Sequence, residues 1–85
     1  MYEVLLERAA ERDLKRLSSR EFSKVIAAIR ALAEHPRPRG CRKISSSEHD
    51  WRIRVGPFRV LYEIDDKAKI VRVMRVRRRP KAYML

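Results

Sequence analysis

Asp50–Tyr62 reads DWRIRVGPFRVLY, two runs of alternating apolar and basic residues on either side of a Gly-Pro pair. With Gly56 and Pro57 as the two turn residues, glycine supplies the positive φ of a type II′ turn and proline the negative φ that follows. That choice sets a hairpin register: Val55 pairs with Phe58, Arg54 with Arg59, Ile53 with Val60, Arg52 with Leu61 and Trp51 with Tyr62. Side chains alternate faces along a strand, so Trp51, Ile53, Val55, Phe58, Val60 and Tyr62 share one side while Arg52, Arg54 and Arg59 share the other. Arginines directly opposite each other have Cβ atoms about 5 Å apart and repel, so the arrangement calls for a nearby acid or a bound anion. Glu63 is expected to be the only carboxylate on that side of the hairpin, too little to neutralise it. Guanidinium forks match phosphate oxygens in a bidentate way, and phosphate is the anion that the pattern favours.

A chain of 85 residues is expected to form a single domain, 1–85, with one two-layer core. Its net charge of +11 is unevenly spread. Residues 1–35 hold 7 basic and 6 acidic side chains, whereas residues 36–85 hold 15 basic and 5 acidic. The excess therefore sits with the expected strands, which points to a polyanionic partner, RNA or DNA first and an acidic protein second. Cys41 is the one cysteine, so no intrachain disulfide can form and a reducing cytosol is the natural compartment. No apolar run approaches a membrane span and no signal peptide leads the chain, so a cytoplasmic protein without membrane contact is expected. His35, His49 and Cys41 have no metal-ligand spacing, and two glycines cannot build a phosphate loop; neither a metal nor a nucleotide cofactor is expected.

Outward from the hairpin, Tyr2–Glu7 alternates as a short strand. Arg8–Leu17 shows Ala9, Ala10, Leu14 and Leu17 at the spacing of an amphipathic helix. Ser18 with Glu21 forms a capping box and Leu17 with Phe22 a hydrophobic staple, opening a second helix that runs to about His35. Its apolar stripe is Phe22, Val25, Ile26, Ile29, Leu32 and Ala33, and Pro36 stops it. Residues 41–44 read as a short strand, 45–49 as a loop, 65–68 as a turn and 69–76 as a last strand. Apolar residues on both faces of that strand leave its register open and favour an interior position. The fold class is α+β, a two-helix hairpin packed on one face of a mostly antiparallel sheet of four or five strands. Trp51 and Tyr62 read as core, and the tail RVRRRPKAY adds Arg77, Arg78, Arg79 and Tyr83 to the basic half.

A short strand, a helical hairpin, WRIRVGPFRVLYEID and then VRVMRVRRRPKAY together resemble the RelE branch of the RelE/ParE toxin superfamily across nearly all of the chain. The resemblance implies the toxin of a type II toxin-antitoxin pair, held silent by an acidic, RelB-like antitoxin. It also implies an endoribonuclease that enters the ribosomal A site and cuts mRNA without a metal, by attack of a ribose 2′-hydroxyl on the adjacent phosphate. The alternatives are a ParE-type toxin that poisons DNA gyrase, against which Arg59, Arg79 and Tyr83 argue, and a non-catalytic basic RNA-binding protein. The catalytic positions carried over are Arg52 and Arg54 on the strand pair, Arg59 on the next strand, and Arg79 and Tyr83 in the tail. Well-known members carry lysines where Arg52 and Arg54 stand. Arginine stays charged in practice, which leaves Glu63, Tyr83 or a ribosomal group as the proton acceptor.

Overall fold

The computed structural model describes residues 1–44 and 50–78. In chain order the elements are β1 (Glu3–Leu6), α1 (Arg8–Lys15), α2 (Ser19–Ala31), β2 (Arg42–Lys43), β3 (Asp50–Val55), β4 (Phe58–Asp65) and β5 (Ile70–Arg78). The strands form one sheet in the order β1-β5-β4-β3-β2, parallel between β1 and β5 and antiparallel elsewhere. Both helices pack on one face of it, so the architecture is the α+β arrangement expected from the sequence, with β5 in an interior position.

Local chemistry accounts for the boundaries. Gly56 has φ 57°, and the β3–β4 register is the one that a two-residue turn dictates, from Val55 opposite Phe58 to Trp51 opposite Tyr62. The Ser18 hydroxyl accepts from the Glu21 N–H at 3.2 Å, and the Glu21 carboxylate accepts from the Ser18 N–H at 3.0 Å, so the capping box is closed. Both helices are shorter than the apolar pattern implied, ending at Lys15 and Ala31, with a turn filling the residues before Pro36. Phe22 departs from the expected stripe. It lies in the first turn of α2 and remains 40% exposed, whereas Val25, Ile29 and Leu32 are buried.

The inner face of the sheet supplies Ile53, Phe58, Val60, Tyr62, Ile64, Val71, Val73 and Val76 to the core, and the helices cover it with Ala10, Leu14, Val25, Ile29 and Leu32. The open question of the last strand is resolved by a β-bulge. Tyr62 pairs with Val73 but Leu61 pairs with Arg75, so Met74 is an extra residue in β5. Before the bulge the odd residues Val71 and Val73 face the core; after it the even residue Val76 does. The strand is apolar on both sides because its phase changes halfway along.

That bulge is fastened by α1. β1 pairs only with Ile70–Val73, which leaves the second half of β5 without a strand on that side. The buried Asp13 carboxylate takes the place of one, accepting from the Val76 N–H at 2.9 Å and from Arg75 Nε and Nη2 at 2.8 and 3.2 Å. Burial pushes the Asp13 carboxyl upward, but the Arg75 guanidinium, the Val76 N–H and the more distant Arg16 outweigh it and hold the pKa below the ordinary value. A second tie runs from the fully buried Tyr62, whose hydroxyl donates to the Pro36 carbonyl at 2.7 Å and fixes the chain leaving α2. Burial, with the nearby Cys41 thiol, pushes the Tyr62 phenol well above its usual pKa. A third lies at the β4–β5 turn, where Asp66 accepts from Arg37 at 2.9 Å and from the Tyr2 hydroxyl at 2.6 Å. These partners, Arg37 foremost, lower the Asp66 carboxyl to about 2. Arg37 also lies 5.1 Å from the centroid of the Trp51 ring.

Two stability predictions follow from these ties. Asp13→Ala strips the Val76 N–H and the Arg75 guanidinium of a shared acceptor and costs about 2–4 kcal/mol, read as a lower urea midpoint; Tyr62→Phe costs about 1 kcal/mol in the same assay. Because the folded pKa values of Asp13 and Asp66 lie below an unfolded value of about 3.9, their contribution is complete above that pH. It is lost as pH falls from about 4 toward about 2, so acid unfolding in that window should be shallower for Asp13→Asn.

Candidate nucleic-acid interface

The face of the sheet away from the helices is ordered by the hydrogen-bond register into rows that run across the strands. Nearest the Gly56-Pro57 turn, Arg54 on β3, Arg59 on β4 and Arg77 on β5 stand directly opposite one another. The next row on the same face is Arg42 on β2, Arg52 on β3, Leu61 on β4 and Arg75 on β5. Only Arg75 leaves this set, turning past the sheet edge to Asp13. The third row is Asp50, Glu63, Arg72 and Leu5, and the fourth is Asp65, Ile70 and Glu3.

The face is thus polarised along its strands. Among the described residues the two rows near the turn contain no acid, and Arg42, Arg52, Arg54, Arg59 and Arg77 have no carboxylate partner within 4.0 Å. The expectation that Glu63 is the sole acid on this side needs correcting, since Asp50 stands opposite it and Asp65 follows on the same face. Glu63 is also displaced from the arginines: it sits 3.9 Å from Arg72, and four residues of strand, about 13 Å, separate it from Arg59. The register thus sets Glu63 two rows away from Arg54 and Arg59.

Arg59 is half-buried and stands in the middle of the row nearest the turn. Flanked by Arg54 and Arg77, its Nε is buried and has no hydrogen-bond partner among the described residues. A guanidinium fork is matched in shape by a bidentate oxyanion, which makes Arg59 and its two neighbours suited to phosphate. A cleft of about 660 Å³ lies elsewhere, toward the β4–β5 turn, where Arg37, Lys67 and Arg72 alternate with Glu63, Asp65 and Asp66. Mixed charge of that kind does not select a polyanion.

Of the five residues that the resemblance singled out, the structure brings Arg52, Arg54 and Arg59 onto one face in two adjacent rows, while Arg79 and Tyr83 lie outside the described residues, as does the loop 45–49. Trp51 and Tyr62 are on the helix side, as core residues. Sequence reasoning missed Arg42, which joins the row of Arg52, and did not separate Arg77 from Arg78. Arg77 faces out beside Arg59, whereas Arg78 faces the helices, 4.8 Å from the Phe58 ring centroid and 3.4 Å from the Glu21 carboxylate. The signal was the phase break VRVMRV in β5, which a bulge explains. Among the described residues no three His, Cys, Asp or Glu side chains converge to hold a metal, and no helix is long and apolar enough to cross a membrane.

Residues 4–83 match the family model described as the ParE toxin of the type II toxin-antitoxin system parDE. Among solved structures, a chain of the RelBE2 toxin-antitoxin complex from Mycobacterium tuberculosis is 31% identical, with a TM-score of 0.80 over 92% of this chain and 98% of that one. The archaeal RelE-RelB complex from Pyrococcus horikoshii gives a TM-score of 0.84 at 21% identity, covering 94% of this chain and 97% of the other. The isolated RelE toxin of E. coli gives 0.82 at 19% identity, covering 99% and 93%. A comparison with curated proteins finds no match. The family model spans almost the whole chain, and the chain belongs to the RelE/ParE superfamily of type II toxin-antitoxin toxins.

Proposed function

We propose that this toxin is a ribosome-dependent mRNA endoribonuclease, and that its outer-face arginines hold the scissile phosphate and its neighbours. The observation that carries this reading is the acid-free double row of arginines around Arg59. In the proposed reaction a ribose 2′-hydroxyl attacks the adjacent phosphorus, the P–O5′ bond breaks, and a 2′,3′-cyclic phosphate and a 5′-hydroxyl are released. Negative charge builds on the non-bridging oxygens in the transition state, and preorganised guanidinium groups stabilise it. Arg54 and Arg59 are placed for that work, with Arg52 holding a neighbouring phosphate. Arg79 and Tyr83 are assigned the leaving-group side and the orientation of the nucleotide. Arginines bind phosphate without accepting a proton, so the acceptor is sought in Tyr83 or on the ribosome.

The toxins of the M. tuberculosis, P. horikoshii and E. coli RelB-RelE pairs were crystallised with their antitoxins. By analogy this chain pairs with an acidic antitoxin that covers the basic face or displaces the tail, and it acts in the cytoplasm where ribosomes translate. The ParE description of the matching family model favours a second reading, poisoning of DNA gyrase. One experiment separates the two. The protein and an Arg79→Ala, Tyr83→Ala variant are added to a translating extract and mRNA 5′ ends are mapped. New ends inside codons on ribosomes, lost with that variant and reduced about 100-fold or more by Arg59→Ala, are the expected result. Intact mRNA, together with DNA breaks in expressing cells, would transfer the protein to the gyrase-directed branch.

A further inference from the structure

We infer that Arg77 is an RNA-backbone-binding residue, the third member of a phosphate-holding row with Arg54 and Arg59, and that its neighbour Arg78 is not. The inference rests on the proposed function only for the choice of RNA as the polyanion; the row itself is a matter of register.

Arg77 and Arg78 are adjacent, alike and both near the end of β5, and composition treats them as one basic cluster. The Met74 bulge separates their roles. Because β5 changes phase there, Arg77 falls on the outer face directly opposite Arg59, while Arg78 falls opposite Phe58 on the helix side. Arg78 is engaged within the fold, stacked at 4.8 Å on the Phe58 ring and paired with Glu21 at 3.4 Å. Arg77 is exposed and has no acid within ion-pair distance among the described residues.

Three guanidinium groups on three adjacent strands span about 10 Å, a length over which a nucleic-acid backbone presents more than one phosphate. Like charges so placed repel one another when empty and are relieved together when a chain of phosphates lies across them. Arg59, between Arg54 and Arg77 at the centre of the row, is the guanidinium that such a chain of phosphates would share with both neighbours. An RNA backbone would therefore run across the strands through Arg54, Arg59 and Arg77, with Arg42 and Arg52 one row behind.

The test uses the full chain and a short labelled oligouridylate, with affinity measured by fluorescence anisotropy between about 50 and 200 mM salt. Arg77→Gln should weaken binding about fivefold and reduce the slope of log affinity against log salt by about 0.7, the loss of one phosphate contact to a single strand. Arg77→Lys should restore the slope, and Arg78→Gln should leave it in place with affinity within about twofold. Equal losses for Arg77→Gln and Arg78→Gln would mean that only net charge matters, and would overturn the assignment. So would an unchanged slope for Arg77→Gln while Arg59→Gln reduces it, or dependence on Arg77 for polyglutamate but not for RNA. A slope that depends on Arg77 in a protein that cuts no mRNA would uphold this inference and end the ribonuclease reading instead.

Discussion

One carboxylate decides which way the last strand faces. Asp13 is buried under α1, where an unpaired charge would be costly, and it is compensated by two Arg75 nitrogens and the Val76 N–H. Those bonds hold β5 in its shifted phase beyond Met74 and occupy an edge that β1 leaves uncovered. Val76 then reaches the core, Arg77 the outer face and Arg78 the helix α2. The capping box, the Tyr62 hydroxyl and the Arg37–Asp66 pair secure other joints of the chain, but none of them sorts charge between the two faces.

The same contact guards the sheet. The free half of an interior strand offers N–H groups to any extended chain, and a carboxylate on one of them blunts that edge without adding a strand. The phase of β5 and the covering of its free edge are thus served by one residue. A helix with Asn in place of Asp13 would keep an acceptor for Val76 and lose the charge that draws Arg75 out of the arginine rows.

Much of this was legible in the residues. Gly56-Pro57 allowed one turn of two residues, and the turn determined the β3–β4 pairing that placed Arg52, Arg54 and Arg59 together. Ser18 and Glu21 marked the start of α2 because the reciprocal bonds need those two side chains three residues apart. What could not be read were the facts that depend on contacts far apart in sequence. Asp13 looks like one more charge on a surface helix, and only the tertiary placement of β5 against α1 reveals it as buried. The bulge hid the facing of Arg77, since a period of two carried through Met74 puts that residue on the wrong side. Phe22 misled in the other direction: its spacing fits the apolar stripe, yet at the first turn of α2 it stays largely exposed and outside the core. The resemblance to RelE-type toxins anticipated the family, while the roles of Arg79 and Tyr83 rest on that resemblance alone.

The gradient on the outer face has a dynamic consequence. Asp50, Glu63, Asp65 and Glu3 lie about 13 Å or more from the arginine row at the turn, farther than the Debye length of about 8 Å at physiological salt. An anion seated on that row is largely screened from the acids, whereas one held by Arg52 lies only two residues of strand from Asp50. At greater range and lower ionic strength the acid-free end of the face is the more strongly positive one, since basic and acidic side chains are mixed at the other, and charge skewed in this way turns that end toward a polyanion as the molecule nears it. The toxin would arrive at a phosphate chain turn-end first, already rotated toward its binding row.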